Sequence, residues 1–417
     1  MTVGAGERVG LGARLRGGAA GGGLALGVAS ALASALGYAF TVVLARSFGA
    51  ADYGALVALL GAGLIGTIPA AGFQYVVARR TVALDLLPGR NDAATLRLAA
   101  VTGVGLLVVG AAAAPAARSW LHLAGIGPVL ALSAALVPLT LAGAFQGGLL
   151  GHRRFVALGA VYVMNAVGRF VGGVVTALAG WGVAGALGTL AVSAAVTTVL
   201  AWLVSGPASW RAADPLGVRA LAGDVARACS AVAGIVVLTN VDLLLARHYL
   251  DPETSGAYGV ASLFAKAVLW GSQFVAQAAY PGLARAEGRR PLLARTLAAT
   301  AAIGLAGVGF AVVAGEPVVH VVTGKAASYA EATALVPAFA LLGLAWALAQ
   351  TLLLAAVAAG DRRPGRLLWA VIAVEAAVVA AGLHDSAGEI LAACLVGVSA
   401  YAVAVGVAEL RAARRGA

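Results

Sequence analysis

From Leu24 to Ala45 the chain runs for 22 residues without a charge. As an α-helix rising about 1.5 Å per residue, that run reaches about 33 Å, enough to cross a hydrocarbon core about 30 Å thick. Runs of this kind recur to the end of the chain. Charges and turn residues cut it into twelve apolar spans, near 24–45, 54–78, 98–117, 126–150, 155–179, 182–204, 225–246, 256–280, 296–315, 332–359, 367–384 and 388–409. Composition agrees: 61% of the 417 residues are hydrophobic and 11% charged, with a mean hydropathy of +0.96. A soluble domain carries roughly 25% charged residues, so this chain cannot cover itself with water-compatible surface. No small-residue cleavage site leads into a soluble region, so the first run reads as an uncleaved span.

The placement of charge fixes an expected topology. With both termini inside, 22 of the 28 basic residues fall in cytoplasmic segments. Four fall outside, at Arg46, Arg118, Arg247 and Lys325, and Arg169 and Lys266 lie within spans. That is a strong positive-inside bias, and one missed span would scramble it. The net charge of +11 is therefore topological and argues against nucleic acid as a partner. Trp120 and Trp181 fall at the outer boundary and Trp202, Trp210 and Trp369 near the inner one, as an aromatic belt. Trp270 and Trp346 sit mid-span and read as packing residues. The two cysteines, Cys229 and Cys394, lie in apolar spans and make neither a disulfide framework nor a metal site.

One corner is written twice. Residues 43–54 read VLARSFGAADYG and residues 244–259 read LLARHYLDPETSGAYG. Arg46 and Arg247 lie 201 residues apart, Tyr53 and Tyr258 lie 205 apart, and Gly151-His152-Arg153-Arg154 recurs 209 residues on as Gly360-Asp361-Arg362-Arg363. Pro128 and Pro337 open the matching spans at that same offset. Six spans per copy leave the copies with equal topology, related by an axis along the membrane normal. The expected fold class is all-α: a polytopic membrane protein of twelve transmembrane helices in two parallel six-helix lobes, 24–204 and 225–410, around a central cavity. A cytoplasmic tail, 1–23, is Gly-rich and expected to be disordered or surface-bound. An inter-lobe linker, 205–224, is expected along the inner surface with a helix start at Asp214-Pro215, and a tail, 411–417, ends the chain inside.

These motifs resemble the polysaccharide and oligosaccharide flippases of the multidrug/oligosaccharidyl-lipid/polysaccharide exporter superfamily. The residues that carry the likeness are Leu44-Ala45-Arg46 through Tyr53-Gly54, Gln146-Gly147 before Gly151-His152-Arg153-Arg154-Phe155, and Asn165 with Arg169. Gly180-Trp181-Gly182 follows, and in the second half Asn240-Val241-Asp242 runs into Arg247, then Tyr258-Gly259, Lys266 and Pro281. The resemblance covers most of the chain. It implies two six-helix lobes around a central cavity, and an arginine in the fifth span is common in that family. Many members have fourteen spans, whereas this chain has room for twelve.

Four ionisable residues stand away from span ends: Arg169, Asp242, Lys266 and Glu375. Intramembrane charges are functional hypotheses by default. Arg169, fifteen residues into its span, must face protein, water or an anion. It binds a substrate anion or bonds to backbone carbonyls. Lys266, eight residues past Tyr258, is a cavity cation or snorkels to the interface. Asp242 pairs with Lys266, Arg247 or Arg46, or couples a proton or sodium ion. Glu375 is a hydrogen-bonded buried acid or a second ion-coupling group. Asn165 and Gln273 are candidates to line the cavity with Arg169 and Lys266, although a single polar residue in a span more often makes a helix–helix bond. The charges break the repeat: Thr41 stands opposite Asp242, Gly61 opposite Lys266 and Val378 opposite Arg169.

Other signals fail. Gly61-Ala62-Gly63-Leu64-Ile65-Gly66 fits a dinucleotide spacing but lies inside a span with no strand before it, so it reads as close helix packing. Gly324-Lys325 is followed by Ala326, which is no Walker motif. The five histidines are scattered, with no pair at metal spacing. Neither a cofactor nor a metal is expected.

The sequence thus points to a flippase that carries a lipid-linked oligosaccharide or polysaccharide precursor from the inner to the outer leaflet of a bacterial cytoplasmic membrane. Its expected partners are that glycan lipid, membrane lipids and other glycan-assembly proteins, and it is expected to act as a monomer. Moving one unpaired hydroxyl into hydrocarbon costs about 4–8 kcal/mol. A few sugars therefore raise a barrier of at least about 25 kcal/mol, a rate on the order of 10⁻⁶ s⁻¹. A cation-coupled drug or metabolite exporter on the same fold is the first alternative, weakened by the lack of an acid in the first span. A membrane-embedded glycan polymerase or glycosyltransferase is the second, weakened by short outer loops.

Overall fold

The computed structural model describes residues 5–83, 93–205, 218–283, 288–324 and 329–415. These form fourteen α-helices and, among the described residues, no strand. In chain order they are α1 (Ala5–Ser47), α2 (Ala50–Gly66), α3 (Ile68–Ala83), α4 (Ala93–Trp120), α5 (Gly127–Gly151), α6 (Phe155–Ala179) and α7 (Gly182–Ser205). The second half contributes α8 (Val218–Leu238), α9 (Val241–Tyr249), α10 (Pro252–Leu283), α11 (Arg289–Thr323), α12 (Ala330–Ala358), α13 (Arg363–Ala381) and α14 (Ala387–Arg415). Twelve segments among them are long and apolar enough to cross a membrane. Large aliphatic side chains stand bare on their surfaces, Leu178 and Val313 each 84% exposed. That surface belongs in lipid.

Two spans expected to be continuous are broken. The second divides into α2 and α3 at Thr67. Pro69, second residue of α3, has no N–H to give and crowds the carbonyl four residues back, so the helix restarts there. The seventh divides at Thr239–Asn240, within the expected span 225–246. There side chains compete for the backbone. Thr239 Oγ1 donates to the Ile235 carbonyl at 2.8 Å and Asn240 Nδ2 to the Val236 carbonyl at 2.8 Å. Asn240 then leaves helical geometry at φ −140°, and α9 starts with Asp242 in its first turn, where the helix dipole favours an acid. Asp251 plays the same part for α10. Its carboxylate accepts the Thr254 and Glu253 amides, which holds it below the usual carboxylate range.

The helices gather into two compact units that do not follow the midpoint of the chain. One comprises the described parts of Met1–Leu44, Gly66–Ala117 and Gly125–Val232; the other, those of Ala45–Ile65, Arg118–Ala124 and Ala233–Ala417. The core of the first joins Phe73, Val76 and Val77 of α3 to Leu96 of α4, Phe145 and Leu149 of α5, Val161 of α6 and Val225 of α8. Asp224 of α8 meets Arg79 and Arg80 of α3, each at 3.2 Å, and Arg227 of its own helix. In the second unit Trp346 is fully buried in α12, and Tyr258 meets Phe339 edge-on at 4.7 Å.

Lipid tails are as apolar as the helices, so van der Waals fit rather than the hydrophobic effect draws spans together. Each unit contains a crossing that only glycine permits. A β-carbon added to Gly143 of α5 would lie 2.2 Å from the Ala70 carbonyl oxygen, and one on Gly343 of α12 would lie 2.3 Å from that of Ala265. These are the span 4–span 2 and span 10–span 8 contacts, the same crossing in each half. Gly61 packs on Leu243 and Asn240 and Gly66 on Leu136, the helix packing read from their spacing.

Several local expectations change. Pro337 lies inside α12, which begins at Ala330, rather than opening the span. Trp346 is the packing residue expected, whereas Trp270 is 46% exposed. The Gly-rich N-terminal segment is helical from Ala5, continuous with α1. Residues 218–224 of the expected linker are the first turns of α8. The remainder of that linker, with Trp210 and Asp214-Pro215, lies outside the described residues. The twin corners fall at the same ends of the helices, since Arg247 bonds the carbonyl of Ala51, five residues past Arg46.

Candidate functional site

In the first unit the site is a polar stripe on α6. Tyr162, Asn165 and Arg169 recur at i, i+3 and i+7 and so share a face. Tyr162 accepts a hydrogen bond from Gln74 Nε2 of α3 at 2.6 Å, which ties one end of the stripe to the scaffold. Ser193 of α7 donates to the Asn165 backbone carbonyl at 3.2 Å. Arg169 is different. Its Nε is buried with no hydrogen-bond partner, and among the described residues it makes no ion pair. Its guanidinium carbon stands 5.3 Å from the centre of the Phe40 ring. Gly173, one turn on, makes room for that ring, since a β-carbon there would lie 2.6 Å from it. The arrangement leaves a cation over an aromatic face with a buried donor unused. The carbonyl bonds that the sequence also allowed for Arg169 are not formed by its Nε.

In the second unit four helices bring together residues far apart in sequence. Asp242 of α9 is fully buried; its Oδ2 accepts the Tyr258 hydroxyl of α10 at 3.3 Å and its Oδ1 has no partner. Lys266, just over two turns along α10 from Tyr258, is 9% exposed and donates to Asn240 Oδ1 at 3.0 Å, within the field of Asp242. Glu375 of α13 is buried and faces Gly397 and the Cys394 thiol of α14, a weak donor beside its carboxylate. Arg46 and Arg247, offered by the sequence as partners of Asp242, bond backbone carbonyls instead. Lys266 and Glu375 each lie near Asp242, so if all three groups are ionised the cluster holds one negative charge in excess. Buried uncompensated charge is expensive. One proton or one monovalent cation would balance that excess. Gln273 lies on α10 seven residues beyond Lys266, half-buried on the same helix face.

Tyr258 and Cys394 were not legible as site residues. Tyr258 appeared only as a corner residue, and a lone cysteine in an apolar span carries no signal. The histidines are also closer than their spacing suggests. His122 and His248 stack at 5.9 Å, His248 lies on Trp120 at 4.6 Å, and Tyr249 stacks on His384 at 4.2 Å. No group of three metal-ligating side chains forms among the described residues.

The fold is that of solved membrane transporters and flippases. A structure described as the inward-facing conformation of a multidrug resistance MATE family transporter of the MOP superfamily matches with a TM-score of 0.71 at 15% identity, over 92% of this chain and 95% of that one. The lipid II flippase MurJ, in an inward closed conformation, matches with a TM-score of 0.75 at 10% identity, over 92% of this chain and 87% of that one. A MOP superfamily transporter from Pyrococcus furiosus matches at 0.63 and 16% identity, over 94% of each chain. At such identities the likeness establishes the architecture: an all-α, two-lobed bundle of twelve membrane-crossing segments. No family model matches the chain, and no curated protein matches it in sequence.

Proposed function

We propose that the chain is a flippase that moves a lipid-linked oligosaccharide or polysaccharide precursor from the inner to the outer leaflet of a bacterial cytoplasmic membrane, with both termini inside. The observation that carries this reading is Arg169, a guanidinium in mid-span with no ion pair among the described residues and a buried donor unused. Such a group suits the phosphate or pyrophosphate that joins a glycan to its lipid. Asn165, on the same face, is placed to bond a sugar hydroxyl, while the lipid tail stays in the bilayer. Alternating access carries the head group across. The flippase named among the structural neighbours acts on lipid II, a lipid-linked substrate, which supports the class of cargo. Lys266 and Gln273, on α10 of the other unit, are a separate pair of candidates for polar contacts with the cargo.

The Asp242–Lys266–Glu375 cluster favours a second element, coupling to one proton or cation per cycle. It is also what favours the alternative reading, a cation-coupled exporter of small molecules. Deleting the gene and analysing the lipid fraction separates the two. A flippase mutant accumulates a lipid-linked glycan intermediate in the inner leaflet. An unchanged lipid-linked pool, together with sensitivity to small cationic compounds, would transfer the assignment to the exporter.

A further inference from the structure

The twin corners do something that neither does alone. Arg46 ends α1, and both its Nε, at 2.9 Å, and its Nη2 donate to the Val321 carbonyl in the last turn of α11. That helix stops at Gly324, in the left-handed region at φ 65°, so its final carbonyls have no helical partner. Arg247 lies in α9, the last part of the seventh span, and is 4% exposed. Its Nε donates to Leu121 O at 2.9 Å, its Nη2 to His122 O at 3.2 Å and its Nη1 to Ala51 O at 3.1 Å. The neighbouring His248 Nδ1 lies 2.8 Å from Trp120 O. Trp120 ends α4, so its terminal carbonyls are taken up from α9 as those of α11 are from α1.

The exchange is reciprocal. The first span of the first half closes the third span of the second, and the first span of the second half closes the third span of the first. Between the two arginines α2 and α10 meet backbone to backbone. A β-carbon on Gly54 would lie 2.8 Å from the Gly256 nitrogen, and one on Gly256 would lie 2.1 Å from the Ala50 carbonyl oxygen. Tyr53 and Tyr258 are fully buried on either side of this seam.

We propose that Arg46 and Arg247 are the two halves of a latch on one face of the membrane, holding the α2–α10 seam shut, and that both release during the transport cycle. The inference rests on the carrier reading, since a static bundle needs no release. The chemistry suits a reversible closure. Neither arginine pairs with a carboxylate among the described residues, so separation strands no buried counter-charge. Freed carbonyls and guanidinium exchange their bonds for water, at modest net cost. At Gly54 and Gly256 the seam is mostly backbone against backbone, and the side chains that meet its glycines, Ser255 at Gly54 and Val57 at Gly259, are small. His122, whose carbonyl Arg247 holds, sits at φ 50°, a region uncommon for a residue with a β-carbon, and release frees it from that constraint.

The test reads opening rather than transport, so it fails independently of the cargo assignment. A reporter, Ala257→Cys, replaces a residue 2% exposed on the α10 side of the seam. The protein is reconstituted in lipid nanodiscs and treated with a bulky polar maleimide, and modification at residue 257 is followed by peptide mass spectrometry. A second reporter, Ala355→Cys, replaces a fully buried residue in the core with Leu283 and Leu293. Arg46→Ala and Arg247→Ala should each speed reaction at 257 at least about tenfold, the loss of one charge-assisted bond or more, with little change at 355. The lysine variants keep the charge but lose the fork, so they should fall between parent and alanine. They are read in place of any alanine variant that does not fold. An unchanged rate at 257 for either arginine overturns the latch. So does equal acceleration at 355, which would mean general loosening.

Discussion

Arg169→Ala separates the functional arginine from a structural one because the two roles move different quantities. The structural loss is small. One ring contact with Phe40 at 5.3 Å disappears, about 1 kcal/mol. Against it, the variant no longer buries a guanidinium whose Nε lacks a partner, a strain of about 1–3 kcal/mol. These terms nearly cancel, so protein level in membranes and thermal midpoint in detergent should barely move. The functional loss is large. Two charge-assisted bonds to a phosphate are worth about 3 kcal/mol at the low end, on the order of a hundredfold in rate. Arg169→Lys retains the charge without the planar fork, so it should keep partial activity. The assay is complementation of a flippase-null strain, with the lipid-linked intermediate quantified alongside. Full complementation by Arg169→Ala removes this residue from the site. Loss of the folded protein in that variant refutes the near-cancellation and makes the arginine structural.

Lys266→Met leaves Asp242 and Glu375 facing each other without a counter-charge and should lower stability by about 3–5 kcal/mol in thermal unfolding. Glu375→Gln removes the excess charge and should leave the midpoint unchanged or higher; a stable Lys266→Met variant contradicts the charge count. Gly143→Ala forces a methyl onto the Ala70 carbonyl, 2.2 Å away, and should cost about 1–3 kcal/mol. Gly105→Ala, in open space on α4, should gain up to about 1 kcal/mol from helix propensity; equal effects would dismiss the crossing as a constraint. For the topology, a cysteine at Asp385 should react with impermeant maleimide in intact cells and one at Arg362 should not, and the reverse pattern inverts the orientation.

Spans were legible because hydrocarbon imposes a length and a polarity that every crossing segment must meet. Leu24–Ala45 announces a helix on those grounds alone. The breaks were not, because Asn240 and Thr239 interrupt their helix through bonds to carbonyls four residues back, and the same residue types serve elsewhere inside unbroken spans. Thr198, for one, makes the same bond to Ala194 within α7. The repeat announced that the corners matter but not what they hold. Their partners are carbonyls of Leu121, His122 and Val321, and a carbonyl has no residue type to read. Arg169, Asp242, Lys266 and Glu375 stood out as charges away from span ends, and the first three also break the repeat. Cys394 was silent, since only the packing of α14 on α13 brings it to Glu375. Lys266 illustrates the limit of a charge count along a span: distance to the interface allowed snorkelling, but the buried Asn240 amide supplied a nearer partner.

Asn240 joins the break to the charges, and a double-mutant cycle measures that union. Its Nδ2 holds the Val236 carbonyl at the end of α8, and its Oδ1 holds the Lys266 ammonium at 3.0 Å. One side chain thus stops a helix and orients a buried cation. Asn240→Ala leaves the ammonium without its partner, at about 1–3 kcal/mol when buried, and the Val236 carbonyl with only the Thr239 hydroxyl at 3.3 Å, a smaller loss. In a Lys266→Met background the ammonium is already gone, so the same substitution should cost only the carbonyl's share. The difference, a coupling of about 1–3 kcal/mol, lies within the range found for residues in direct contact. If the costs of Asn240→Ala agree in the two backgrounds, Asn240 does not hold the lysine, and the break and the charge cluster are separate features of the same span.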